Sequence, residues 1–228
     1  MSETMWVALT LAAVGVLVLT YLQRRHLARV QRDRMALFEH ATGVLEQSRI
    51  VPRGLDYPLL YGRHKGRDVR VEPVVDALGL RTVPMLRIVV TVRAQLPGQP
   101  RLSVLSNETG NEFYSGHRDL LRWRDPAWPT WASVACAPEG VDRKLAEAAV
   151  GLVTEDSMVK QVLVTEHGVR CIVRGAQANS TAYRVTRRVD LSDVRVTAEN
   201  LLHAVTMAGE LCDQAASRRL DVSEAESR

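Results

Sequence analysis

The sequence predicts an α+β protein, in which a single N-terminal transmembrane helix precedes a mainly antiparallel sheet domain with interspersed and C-terminal helices. Three observations predict it: one uncharged apolar run, short alternating stretches joined by tight turns, and helical spacing between and after those stretches. A length of 228 residues suits one folded domain with appendages. With 46% hydrophobic and 25% charged residues, the composition excludes wholesale disorder and a polytopic membrane protein.

The apolar run from Met5 to Leu22 has 15 apolar residues out of 18 and no charge. As a helix it is roughly 27 Å long at about 1.5 Å per residue, close to the ~30 Å hydrocarbon core of a bilayer. Trp6 and Tyr21 stand where aromatic rings favour the two interfaces, and Arg24 and Arg25 can extend to head groups. A buried core helix is the first alternative. A cleaved signal peptide is the second, but the run lacks a basic leader and a small-residue cleavage site.

The arginines around this run predict its orientation. None precedes it, and five follow it directly: Arg24, Arg25, Arg29, Arg32 and Arg34. The positive-inside rule therefore places the N-terminus outside and the C-terminal domain in the cytoplasm, at the plasma or cytoplasmic membrane. Asn107 and Asn179 begin N-x-[ST] triplets that would be glycosylated in a lumen, but such triplets often occur by chance.

Residues 23–49 have the spacing of a juxtamembrane amphipathic helix, with Leu27, Val30, Leu37 and Val44 on one face. This helix either packs on its own domain or pairs with a second copy, so a homo-oligomer stays an open alternative. Prolines and a glycine over 49–57 predict a linker to a soluble domain over 50–217. Residues 218–228 read as a flexible tail.

Within the domain, alternating patterns bounded by turn residues predict the strands, and spacings of three and four predict the helices. A hairpin over 59–73 turns at His64-Lys65-Gly66, and a second over 162–173 turns at Glu166-His167-Gly168. Further strands are predicted at 86–93, at 101–106 as its partner across the Leu96–Pro100 turn, at 131–137 and at 183–189. Helices are predicted at 117–123, 142–153 and 198–217, the last with Thr197 as its N-cap.

The distribution of charge argues against a nucleic-acid partner. Of a net charge of +4, the segment 23–34 alone carries +4, and residues 35–228 carry +1. A nucleic-acid binder is expected to concentrate its basic excess on the folded domain.

No catalytic residue, metal site or cofactor is predicted, because no glycine-rich phosphate loop and no ligand spacing among the three cysteines and six histidines is present. The nearest approach to a thiol site is Cys136 with His117, Arg118 and Asp119. Cys136 stands in an apolar string where a buried, inert thiol is expected. An enzyme with an unrecognised thiol and histidine site is therefore the remote alternative.

Two local features suggest contacts. Trp123, Trp128 and Trp131 are interleaved with Pro126 and Pro129. Such a loop either anchors a protein partner or covers a sheet edge.

The second feature is the turn that carries Arg63, Lys65 and Arg67, which could contact anionic lipid head groups. In its place between the first two strands it resembles the lipid-facing turn of pleckstrin-homology-like domains. The sequence thus favours a membrane-anchored, non-enzymatic cytoplasmic binding or scaffolding domain, whose partners are the lipid bilayer and a protein at the membrane. A peripheral reader of anionic lipid through this turn is the alternative.

Overall fold

The computed structural model describes residues 3–77, 83–108, 120–178, 180–187, 189, 191 and 193–226, without the side chains of 3–5, 8, 182, 186 and 218–226. In this part of the chain nine strands form one sheet, in which every neighbouring pair is antiparallel, so the α+β class is confirmed. The strands are β1 (Glu46–Arg53), β2 (Asp56–His64), β3 (Arg67–Asp76), β4 (Met85–Arg93), β5 (Leu102–Ser106), β6 (Leu121–Trp123), β7 (Ala132–Cys136), β8 (Val159–Thr165) and β9 (Gly168–Gln177). Their order across the sheet is β1-β2-β3-β4-β9-β8-β5-β7-β6.

A long helix, α1, spans Glu3–Met35. Every described side chain over residues 6–26 is exposed, and contact with the domain begins only near Leu27. Farther along, the Arg34 guanidinium donates to the carbonyl oxygen of Leu55 and lies 5.0 Å from the centre of the Tyr57 ring. Among the described residues, no helix combines the length and apolar composition needed to cross a membrane. The predicted span includes Met5 and Ala8, whose side chains lie outside the described part.

The chain after α1 differs from the predicted helix over 23–49. Two short 3-10 helices, Ala36–Phe38 and Thr42–Val44, follow α1, and β1 occupies much of the predicted linker. The chain turns here because Leu37 and Phe38 enter the core, where both are buried, and the Val196 N–H donates to the Leu37 carbonyl at 2.9 Å. The hydrophobic core therefore includes residues that precede the predicted domain start at residue 50.

Strands β1 to β4 follow one another as a meander. The predicted hairpin is β2–β3, with Lys65 and Gly66 at positive φ of 48° and 76°, as a two-residue hairpin turn requires. Strand β4 pairs with β3 on one side and with β9 on the other, and not with residues 101–106 as predicted. Backbone bonds from Ala94 to His167 and from Leu96 to Glu166 extend this pairing past the end of β4. Strand β5 instead lies between β7 and β8.

Two helices cover one face of the sheet. Helix α2 (Arg143–Glu155) begins where the Asp142 carboxylate accepts from the Leu145 N–H at 3.0 Å. Helix α4 (Ala198–Glu226) begins where the Thr197 hydroxyl accepts from the Asn200 N–H at 3.2 Å, which confirms this N-cap. Its backbone stays helical to Glu226, where the sequence suggests a flexible tail.

Two predicted elements have the opposite type. Residues 183–186 of the strand predicted at 183–189 belong to helix α3 (Ser180–Thr186), because a short apolar alternation also fits a helical turn, and residue 188 lies outside the described residues. In the helix predicted at 117–123, residues 117–119 lie outside the described residues and Leu121–Trp123 forms β6. There Leu121 pairs with Cys136 of β7, so tertiary pairing overrides the local pattern.

Side chains alternate between the two faces along each strand. On β4, Leu86, Ile88, Val90 and Val92 belong to the core beneath the helices, and the residues between them point to the opposite face. That opposite face carries the site described next.

Candidate binding groove

Polar side chains from three neighbouring strands meet on the sheet face opposite the helices. Thr91 of β4 pairs with Arg70 of β3 on one side and with Arg170 of β9 on the other. Arg93 stands two residues beyond Thr91 on the same face and pairs with Gly168. Because adjacent strands are about 4.8 Å apart, Arg70 and Arg170 stand directly opposite Thr91 on its two sides, and Arg93 is its neighbour two residues along the same strand.

These residues line a shallow groove of about 950 Å³. Its apolar floor is formed by Val89, Leu163 and Ile172, which are nearly fully buried. Other polar side chains at the groove are Glu72, Gln95, Gln99, Arg101, Thr165, Glu166 and His167. The groove thus combines an apolar floor with a largely cationic rim.

The cations of the groove are poorly balanced by carboxylates. The side chains of Arg93, Arg101 and Arg170 are exposed, and their guanidiniums make no hydrogen bond or ion pair within the described part of the chain. Arg70 donates to Glu72 at 2.7 Å, but Glu72 also accepts from Arg53 at 2.8 Å. One carboxylate is therefore shared by two guanidiniums. The described lining has four arginines against two carboxylates, Glu72 and Glu166, so the surplus charge of the groove is positive.

The turn between β8 and β9 closes one end of the groove through Gly168. Its φ is +125°, a backbone conformation that residues other than glycine rarely adopt, and an added Cβ would overlap the carbonyl oxygen of Val92. Only glycine lets this turn approach β4 so closely, and this approach places Arg93 and Arg170 on adjacent strands.

The basic turn predicted for lipid contact is partly engaged within the domain. Arg67 donates through Nη1 to the Gly209 carbonyl at 3.0 Å and through Nη2 to Asp213 at 2.5 Å, both on α4. The hydrogen bond to Asp213 raises the pKa of Arg67, and the same bond lowers the pKa of Asp213. Arg63 donates to the Gly66 carbonyl at 2.8 Å, and Lys65 stays exposed.

The structure brings two of the three predicted tryptophans together. The rings of Trp123 and Trp128 meet edge to face, with centres 5.0 Å apart and planes at 70°. Both rings are half-buried and pack against the core, and Trp131 is 39% exposed. Their cavity of about 810 Å³ is also lined by Glu108, which directly precedes residues outside the described part.

The thiols lie in apolar surroundings. Burial raises the pKa of Cys136, raises that of Cys171 to about 12 and raises that of Cys212 to about 11. His117, Arg118 and Asp119 lie outside the described residues. Across the described ranges, no group of three or more His, Cys, Asp or Glu side chains is placed to hold a metal ion.

The residues predicted to mark the membrane interface all lie on α1. Trp6, Tyr21, Arg24 and Arg25 are all exposed there. The structure thus separates an exposed helix from a sheet domain with its own groove.

The fold and the site define a class: an antiparallel sheet with two helices on one face and a basic groove on the other, preceded by a long exposed helix. No family model, no curated protein and no solved structure matches this chain. Sequence reasoning missed the groove, since Arg70, Arg93 and Arg170 each occupy an ordinary outward position of a predicted strand. The only signal was that these outward positions on three strands all carry arginine.

Proposed function

We propose that this protein is a membrane-anchored, non-enzymatic binding protein, whose cytoplasmic sheet domain holds an acidic ligand in the groove. The proposal is carried by the guanidiniums of Arg93, Arg101 and Arg170, which lie over an apolar floor and have no partner among the described residues. Exposed charges with no partner contribute little to folding stability. Their concentration in one groove is expected to attract anions.

Membrane anchorage is supported by the first part of α1. The run from Met5 to Leu22 has no charge, and its described side chains are exposed on all sides of the helix. Contiguous exposed apolar surface of this kind marks a membrane or protein contact. The five arginines that follow favour a cytoplasmic domain.

Alkaline extraction of membranes tests the anchorage. The full chain should stay in the membrane pellet, and a Val14→Arg/Leu17→Arg variant should be released. A control variant with the same two added charges at exposed positions of the domain, Val185→Arg/Leu202→Arg, should stay in the pellet. Release of the unaltered chain would refute the anchorage.

A reporter fused after Arg228 tests the orientation. It should be active only in the cytoplasm, and replacement of the five arginines by glutamine should weaken this bias. Digestion of the domain by protease added outside intact cells would refute the cytoplasmic placement.

Binding of fluorescent poly-glutamate to the full chain in neutral detergent tests the groove. The Arg93→Gln/Arg170→Gln variant should bind at least about tenfold more weakly, because it loses charge-assisted hydrogen bonds. An Arg174→Gln/Arg184→Gln variant loses the same net charge from two exposed positions outside the groove and should bind nearly as the unaltered chain does. Equal weakening in both variants would show a nonspecific charge effect and refute a specific acidic-ligand groove.

A further inference from the structure

We infer that Arg70, Arg93 and Arg170 hold the phosphate group of a small organic phosphomonoester above Thr91. This inference rests on the proposed function, and it names the chemistry of the acidic ligand. Four observations carry it: the register of the three strands, the shortage of acceptors, the apolar floor and the size of the groove.

The register brings donors around one point. Arg70 and Arg170 flank Thr91 on neighbouring strands, so their Cα atoms are about 10 Å apart across two strand spacings. Arg93 lies diagonal to both. Guanidinium side chains that extend over Thr91 can reach the same oxyanion, and the Thr91 hydroxyl adds a further donor.

The cluster is short of acceptors for these donors. Each guanidinium has five N–H donors, and phosphate oxygens match their planar fork. Arg93 and Arg170 have no acceptor within the described part, and the Nε of Arg70 is buried without one. The four arginines that line the groove outnumber its two described carboxylates, Glu72 and Glu166, and this surplus of positive charge favours a dianion over a monoanion.

The floor and the size of the groove favour an organic ester over free phosphate. Val89 and Ile172 pair with each other directly beside the Thr91–Arg170 pair, so apolar surface begins next to the three arginines. A volume of about 950 Å³ falls within the ~300–1,000 Å³ range of small-molecule sites. The organic part of such a ligand would lie on this apolar floor.

Calorimetric titration of the full chain in neutral detergent tests this inference with phenyl phosphate, inorganic phosphate and benzoate as probes. Phenyl phosphate should bind at least about tenfold more tightly than benzoate, through its second charge, and more tightly than inorganic phosphate, through the floor. The Arg93→Gln/Arg170→Gln variant should lose about tenfold or more of this affinity. The Arg174→Gln/Arg184→Gln variant should keep it.

Several outcomes would overturn the inference. Equal binding of benzoate and phenyl phosphate would show that the groove does not prefer a dianion. Equal binding of inorganic phosphate and phenyl phosphate would show that the organic group gains nothing from the apolar floor. Binding only to vesicles that contain phosphatidic acid, and to no soluble probe, would assign the groove to a lipid surface.

Thermal melting of each variant shows whether it is folded. Arg70→Lys provides a second test, because lysine keeps the positive charge and lacks the planar N–H donors of the guanidinium. Phenyl phosphate should bind more weakly to Arg70→Lys, and unchanged binding would refute the role of this guanidinium. If the soluble probes fail but groove-dependent binding of poly-glutamate persists, the phosphate assignment fails and the proposed function stands. If poly-glutamate binding also does not depend on the groove, both fail.

Discussion

The guanidinium of Arg67, at the tip of the β2–β3 hairpin, binds the carboxylate of Asp213 on α4, with 2.5 Å between Nη2 and Oδ1. These residues are 146 positions apart in the sequence. The second nitrogen of the same guanidinium donates to the Gly209 carbonyl on the preceding turn of α4. One side chain therefore fastens the first hairpin of the sheet to its last helix.

This pair predicts a pH-dependent loss of stability in Arg67→Gln. The bond lowers the pKa of folded Asp213 below its ordinary 3.8, so its contribution is present above that pH and is lost as the pH falls through the lowered value. Denaturant unfolding from pH 7 to pH 2 should show a gap between the variant and the unaltered chain that narrows below pH 3.8. Arg63→Gln is the control, since Arg63 lies 3.6 Å from an exposed Asp68 and should cost about 0.5 kcal/mol or less. A gap that stays constant over this pH range would contradict the role of Asp213.

Two glycines at hairpin turns should respond differently to alanine. A glycine-to-alanine substitution at a positive φ ordinarily costs roughly 1 kcal/mol. Gly168→Ala should destabilise the domain by well over this amount, because the new Cβ meets the backbone of β4. Gly66→Ala has open space around its Cβ and should cost only about 1 kcal/mol for its positive φ. Chemical denaturation measures both free energies of unfolding. Equal losses would show that Gly168 does not set the approach of the turn to β4.

The paired tryptophans predict a loss of stability in Trp128→Ala. The ring packs on Trp123 and on the core, so its removal should cost about 3 kcal/mol of the free energy of unfolding. Trp131→Ala removes a more exposed ring and should cost less than about 1 kcal/mol. Thermal melting of both variants checks this. If Trp128→Ala melts as the unaltered chain does, the ring is free to contact a partner, and the loss should appear instead in a membrane pull-down.

The position of Phe38 in the core predicts where an independent domain begins. A fragment from Leu27 to Glu226 should unfold cooperatively, whereas a fragment that starts at Ile50 loses Leu37, Phe38 and half of β1 and should not. Phe38→Ala in the longer fragment should cost about 3–5 kcal/mol. Circular dichroism against denaturant distinguishes the two fragments. A cooperative transition in the shorter one would restore the boundary at residue 50.

Thiol labelling provides a test of the enzyme alternative. Burial raises the pKa of Cys171 to about 12 and of Cys212 to about 11 and also raises that of Cys136, so the reactive thiolates are scarce at pH 8. Iodoacetamide should therefore modify none of the three quickly in the folded protein and all three after denaturation. Mass spectrometry identifies the sites. Fast native labelling of Cys136 would favour a thiol site there.

The sequence predicts those elements whose turn and capping residues lie next to them in the chain. The β2–β3 hairpin has its turn glycine at residue 66, and α2 and α4 have their capping residues, Asp142 and Thr197, at the expected places. In contrast, β1 was missed because Pro52 indicates a linker, although a proline is tolerated on an edge strand such as this one.

The groove could not be predicted in the same way, because its members come together through distant pairing. Arg70 and Arg170 are neighbours only because β9 lies beside β4, and the short turn after β4 favoured a different partner in the sequence. Nothing local to Arg170 indicates which strand adjoins it. Pattern reasoning therefore identified the strands of the site without their order.

The β4–β9 pairing also determines when the groove forms during folding. The β2–β3 and β8–β9 hairpins close over short loops, whereas residue 91 must meet residue 170 across an intervening segment that includes the four strands β5 to β8 and α2. Closing so long a loop has an entropic cost that local hairpins avoid, so this junction is expected to form late. Arg70, Arg93 and Arg170 are therefore not yet close together in partly folded chains. A molecule that binds these arginines recognises only the completed sheet and draws the folding equilibrium toward it.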